Sequence, residues 1–437
     1  MKLTKLERSW VLYDCGNSAY SIIVTTAIFP LFFDAIATGA SPTEWLGVAN
    51  SAGSLAIALL APILGTFADY RYAKKRFFAA FFSLGVASVL SMFFMSQGQW
   101  MAAIVAYVAS IIGFAGANLF YDAFLIDVTD NERMDQVSAA GFGWGYIASV
   151  APFVVVIALV FLAQSSGALP EELAFRIGFL LTAVWWAAFT IPFLIRAKQR
   201  FAQEPSAHPV KEGFIRLGRT FKHLRQFKPA FLFLIAYLFY IEGVSSIIRM
   251  ATPIAVEMGF TSTFLIIVLL YIQVVAWPFA LLFGRLAKRF GARAMILTGI
   301  CIYVVVVFVA FFIPAFESQM WKNILFWTLS TLVASSQGGI QALSRSTFGK
   351  LIPKDKSAEF FGFYNISGKF SSFLGPLLIA GVTAWARRGG LADPTRFGVL
   401  SVLAFFIVGG ILFLRTPTEK ETLEEAARTD APPSMDG

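Results

Sequence analysis

Apolar residues run along this chain in long unbroken blocks, and twelve of them are long enough to cross a bilayer as helices, which takes roughly 20 residues each. The blocks cover roughly 10–34, 44–68, 77–96, 100–126, 137–163, 175–195, 229–256, 261–284, 293–314, 322–345, 360–386 and 396–415. Polar positions inside them are few and keep helical spacing. In the first block Asp14, Asn17, Ser18 and Ser21 fall at i, i+3, i+4 and i+7, so one helix face is polar. A carboxylate at that depth costs roughly 2.5–3.5 kcal/mol on insertion scales, so this face predicts a wall of a bundle interior or of a water-filled path. Asn118 with Tyr121, Gln337 with Gln341, and Asn365 with Lys369 repeat the pattern in blocks 4, 10 and 11.

Composition sharpens this to a class. With 57% hydrophobic and 14% charged residues, against roughly 25% charged in soluble domains, and a mean hydropathy of +0.71, the chain reads as an integral membrane protein. The basic start, Met1 to Ser9, precedes an apolar run longer than a signal-peptide core with no small-residue cleavage site, which predicts a retained first span. Cys15 and Cys301 fall inside spans and His208 and His223 in a loop, so neither a disulfide framework, a metal site nor any other cofactor is signalled. The net charge of +9 would suggest nucleic acid in a soluble protein, but it sorts by side of the membrane instead. One set of alternate connections holds 27 Lys and Arg, the other 5. The positive-inside rule then predicts both termini in the cytoplasm, for a protein of the plasma or inner membrane.

The longest internal connection divides the chain into six spans and six: a bundle over 1–196, a basic linker over 197–228, a second bundle over 229–415 and an acidic cytoplasmic tail over 416–437. In the linker Phe214, Leu217, Phe221 and Leu224 follow helical spacing among arginines and lysines, which fits an amphipathic helix on the anionic leaflet or a solvated basic loop. The halves also echo each other. Pro30 and Asp34 match Pro253 and Glu257 at an offset of 223, Gly65 matches Gly284 at 219, Asn118 matches Gln341 at 223, Pro152 matches Pro376 at 224, and Arg176 with Gly178 matches Arg396 with Gly398 at 220. A parallel six-span repeat with a solute site between the halves is a recurrent transporter plan.

Four stretches carry a family resemblance. Gly65-Thr66-Phe67-Ala68-Asp69-Tyr70-Arg71, followed by Lys74, Lys75 and Arg76, resembles the G-x-x-x-D-R-x-x-R/K loop of the major facilitator superfamily, with Tyr70 as an insertion. The second copy, from Gly284 to Arg293, has Lys288 in place of the acid. Tyr13-Asp14 with Asn17-Ser18-Ala19-Tyr20 and Ile28-Phe29-Pro30, then Gln337 to Ser346, then Ala358 to Tyr364, resemble the branch named after the autophagy-related vacuolar amino-acid effluxer and its bacterial relatives. The resemblance implies an all-α fold of twelve transmembrane helices in two pseudo-symmetric six-helix bundles. It also implies a loop, Asp69 with Arg71 and Arg76, that locks one conformation.

These readings meet in a secondary transporter that moves a small polar solute, such as an amino acid, by alternating access within the lipid bilayer. Solute-binding candidates are Asn17, Tyr20, Asn118, Tyr121, Glu242, Arg249, Gln337, Gln341 and Asn365. Glu242 and Arg249 lie about two turns, roughly 10 Å, apart on span 7, too far to bond each other, and both are expected to line the path. Glu242 is a candidate proton carrier or, alternatively, a static packing bond. Asp14, Asp69, Arg71, Arg76, Asp122, Arg345 and Lys369 are candidates for coupling or gating: Asp14, Asp122 and Asp127 in the first half face Arg345 and Lys369 in the second at similar depth, an inner gate unless the long side chains merely snorkel. A membrane enzyme would need a metal triad, a nucleotide loop or a nucleophile with its base, and none is present. A non-transporting receptor or scaffold, or an exporter of apolar, drug-like compounds, stays open as an alternative. No obligate protein partner is evident.

Overall fold

The computed structural model describes residues 2–37, 41–167, 169–204, 212–215, 217–218, 227–257, 259–370, 374–417 and 421. The first block begins at a capping box: the Thr4 hydroxyl accepts the Glu7 amide (3.1 Å) while the Glu7 carboxylate accepts the Thr4 amide (2.7 Å). From there α1 (Lys5–Ala19) runs into a π-helical stretch, Tyr20–Ile28, and on into α2 (Phe29–Ile36), whose first turn holds Pro30. The chain continues through α3 (Pro42–Ala68), α4 (Ala73–Met92), α5 (Trp100–Ala123), the short α6 (Leu125–Val128), α7 (Asn131–Ser166) and α8 (Glu171–Arg196). The second half holds α9 (Lys228–Glu257), α10 (Ser262–Phe290), α11 (Ala292–Phe312), α12 (Gln319–Leu351), α13 (Ser357–Phe370), α14 (Leu374–Arg388), α15 (Pro394–Ser401) and α16 (Leu403–Leu414).

Ten helices among the described residues are long and apolar enough to span a bilayer. The predicted spans 10 and 11 account for the difference from twelve. Helix α12 has 33 residues, ample length, but its Ser, Gln and Gly positions dilute its apolarity; α13 and α14 flank residues 371–373, which lie outside the described set. Half of the linker and most of the acidic tail also lie outside it, including Phe221 and Leu224 of the predicted amphipathic helix.

The halves meet along two lateral seams, α3 against α13 and α7 against α10, and face to face where α12 crosses α7. Small residues allow the seams to close. A Cβ at Gly65 would collide with the Ala358 carbonyl, and one at Gly284 with Ala139, so the two matched glycines do the same job on opposite seams. Each half has an aromatic core of its own, Trp10, Tyr13, Tyr121 and Phe193 in one and Phe233, Tyr237, Phe348 and Tyr364 in the other.

Candidate solute pathway

Between the halves lies a cavity of about 710 Å³. Its floor is set by Asp14, Asp122 and Arg345, and its walls extend past Asn17, Asn118 and Gln337 to Thr26, Thr252, Leu265 and Phe326. Those last four lie toward the helix ends remote from the N-terminus. The cavity is therefore closed on the face that carries Lys5 and reaches toward the opposite one.

The closure is polar and layered. Arg345 of α12 is buried, and its guanidinium donates to Asp122 Oδ1 (3.0 Å), Asp14 Oδ2 (3.3 Å) and both oxygens of Ser138 (3.0 and 3.1 Å), sandwiched between the Trp10 and Phe142 rings (4.6 and 4.5 Å to the centroids). Two carboxylates and a hydroxyl thus satisfy a cation that burial alone would penalise. Below it Asp135 of α7 accepts from Ser346 Oγ (2.6 Å) and Lys350 Nζ (2.8 Å) of α12. Lower still, the fully buried Lys74 donates to Asp127 (2.7 Å) in its own half and to Ser357 (2.6 Å) in the other.

Asp69, just beyond α3, accepts the Ala358 and Glu359 amides (2.8 and 3.0 Å) in the first turn of α13, where free amides and the helix dipole favour an anion. Burial nevertheless raises its carboxyl to about 7, against the pull of Lys74 and of those two amides. Chain leaving α8 is stitched over this layer: the Arg200 and Phe201 amides donate to Asp127 Oδ1 (2.7 and 3.0 Å), and Gln203 Nε2 reaches Asp355 of the second half (3.1 Å). Among the described residues, the hydrogen bonds between halves lie on this face, apart from Gln273 to Ser149 (3.0 Å) at mid-depth on a lateral seam.

Most of the sequence-derived residues come together here. Asn17 donates to Asn118 (2.8 Å), which also accepts the Tyr13 hydroxyl (3.0 Å), and Tyr121 stacks on Trp10 with centroids 4.4 Å apart. Gln337, Gln341, Asn365 and Arg249 all line the cavity.

Five residues are placed differently from expectation. Tyr20 is turned away from the cavity, its hydroxyl paired with Ser110 (2.9 Å) and its ring against Phe114 and Trp186, because the apolar interior of the first half takes up that helix face. Glu242 does not line the path: it is buried against α14, where Oε1 accepts the Gly375 amide (2.6 Å) and Oε2 has no partner among the described residues. Arg71 is exposed and faces Glu204 of the linker (3.4 Å), and Arg76 is exposed, so the cation near this loop that reaches the other half is Lys74, in the first turn of α4. Asp127, grouped with the acids that face second-half bases, is instead paired with that same-half lysine. The Lys369 side chain lies outside the described residues.

Sequence reading did not single out Ser138, Asp135 or Lys350, nor Lys74 from its neighbouring loop basics, all of which hold contacts between the halves on this face. A signal for part of this was present: the offset of 223 that relates Asn118 to Gln341 also relates Asp122 to Arg345 and Asp127 to Lys350, opposite charges at matched positions.

A family description, "Vacuole effluxer Atg22 like", matches residues 48–426. The chain belongs to that family. Among its relatives is an MFS-type transporter of Bacillus subtilis (strain 168), YxiO, 46% identical over 438 residues and matched over 99% of both chains. Autophagy-related protein 22 of Yarrowia lipolytica is 29% identical over 333 residues, 66% of this chain and 53% of that one. In fold the chain is similar to the proton:xylose symporter XylE (TM-score 0.72, 12% identity, 96% of this chain and 98% of that one) and to an outward-facing bacterial homologue of ferroportin (TM-score 0.66, 15% identity, 94% and 98%). Membership makes the chain a multi-pass membrane transporter of major facilitator fold rather than an enzyme. Its partners are accordingly a small-molecule solute and the bilayer.

Proposed function

We propose that the protein carries a small polar solute, an amino acid being the leading class, by rocking two six-helix bundles, 1–196 and 229–415, joined by the 197–228 linker, about the cavity between them. The observation that carries this reading is the cavity itself, sealed on one face by Arg345, Asp14 and Asp122 and extending toward the other. The sealed face is the basic one, cytoplasmic by the positive-inside rule in a plasma or inner membrane, so this conformation faces outward. Alternation breaks the Arg345, Lys350, Lys74 and Asp69 contacts together and forms new ones at the far ends of α2 and α9. The description of the family as effluxers supports export as the working direction.

Counterflow in proteoliposomes, screened with amino acids, peptides and sugars, tests the reading. Saturable exchange of at least one solute is expected, and exchange of none would refute it. Proton coupling is assigned to Glu242, a buried carboxyl with one unpartnered oxygen. Glu242→Gln keeps the Oε1 acceptor for Gly375 and so preserves a purely packing role. It is expected to abolish uptake driven by a pH gradient while sparing exchange; driven uptake at the wild-type rate would return Glu242 to packing.

A further inference from the structure

Among the described residues, Arg249 is the one cavity-lining cation that the closed face does not use. Its side chain is exposed to the cavity, and it makes no hydrogen bond or ion pair among the described residues, whereas Arg345 is saturated by Asp14, Asp122 and Ser138. The acid nearest along its own helix, Glu242, sits seven positions back, about 10 Å of axial rise, and is committed to the Gly375 amide.

The rest of the sequence offers no substitute. Between the level of Asp14 and Asp122 and that of Asp34, Glu44 and Glu257 at the far helix ends, Glu242 is the only Asp or Glu in any span. By the offset that relates Pro30 to Pro253, Arg249 is level with Thr26 of the π-helical stretch; Asp34 is level with Glu257, about 12 Å further out. Thr25, Thr26 and Thr252 line the same end of the cavity, giving hydroxyls but no charge. In the alternating-access reading, on which this inference rests, closing the far face carries Arg249 out of water into a space where no protein carboxylate waits. An unpaired guanidinium there is costly, and a bound anion removes the cost.

We propose that Arg249 is the recognition group for a carboxylate on the solute, so that the transported class is organic acids and carboxylate-bearing zwitterions, and occlusion follows anion binding. A single unpaired guanidinium matches a single carboxylate in a two-point, fork-to-fork contact. The carboxylate end then lies toward the far face and the remainder of the solute toward Asn17, Asn118 and Gln337.

Thermal-shift titration of the purified full chain against acid and amide pairs tests this: acetate and acetamide, benzoate and benzamide, L-alanine and L-alaninamide, L-leucine and L-leucinamide. At least one acid is expected to stabilise the protein where its amide does not. Arg249→Gln is expected to weaken that acid by about tenfold or more, Arg249→Lys by less, with the ligand-free melting temperature unchanged because the side chain bonds nothing. Equal shifts for acid and amide, no shift for any acid, or full affinity in Arg249→Gln would each overturn the proposal. A neutral solute carried equally by wild type and Arg249→Gln would overturn it while leaving the transporter reading intact; the failure of that reading shows separately, as absence of all counterflow.

Discussion

At the scale of single residues, Arg345 decides how the closed face is held. It is buried among Asp14, Asp122 and Ser138, so removing its charge leaves two carboxylates at lipid depth with no base. Arg345→Gln is expected to cost about 3–5 kcal/mol of closed-state stability, read as a lower melting temperature and as faster labelling of a cysteine placed at buried Ala342 from the basic face. Unchanged labelling would mean that aromatic packing, not the ion pairs, seals the gate. The sequence made Arg345, Asp14 and Asp122 legible because charge inside an apolar block has few cheap explanations. It made Lys74 illegible, since a lysine among loop basics reads as topology until its burial against Asp127 and Ser357 is seen. Tyr20 failed for a related reason: a tyrosine fits an apolar core or a polar wall equally well, and only the partner, Ser110, distinguishes them.

At the scale of elements, the contact between the α3 to α4 loop and the start of α13 is the part of the proposed gate expected to respond to pH. Burial raises the Asp69 carboxyl to about 7 in the closed state, whereas an opened, hydrated loop returns it to the ordinary carboxylate range near 4. The closed state therefore binds the extra proton between those values, and closure strengthens as pH falls through about 7. Labelling at the Ala342 reporter is expected to drop between about pH 8 and pH 6 in wild type and to stay flat in Asp69→Asn; the opposite slope would contradict the assignment. Close approach of α3 and α13 matters equally. Gly65→Ala puts a methyl into the Ala358 carbonyl and is expected to raise labelling at the same reporter at every pH. Helix positions were readable from apolar length, but the π-helical stretch Tyr20–Ile28 was not, because no local pattern of apolar and polar residues distinguishes it from an α-helix.

At the scale of the whole molecule, matched glycines on two seams, opposite charges at positions matched by an offset of 223 and a cavity between the halves are the features on which the proposed alternation rests. The fold was legible because twelve apolar blocks, basic loops on alternate sides and a repeated loop signature agree with one another. The conformational state was not, since the pattern of apolar blocks reads the same whichever face of the cavity is closed. The central claim is that closure of the basic face and opening of the far face are coupled. Spin labels on cysteines at Leu31 and Val256, exposed positions near the far ends of α2 and α9, in a chain with Cys15 and Cys301 replaced by serine, measure it most directly. The account predicts a long distance that shortens by several ångströms when Arg345→Gln releases the basic face; a distance indifferent to that substitution would contradict it.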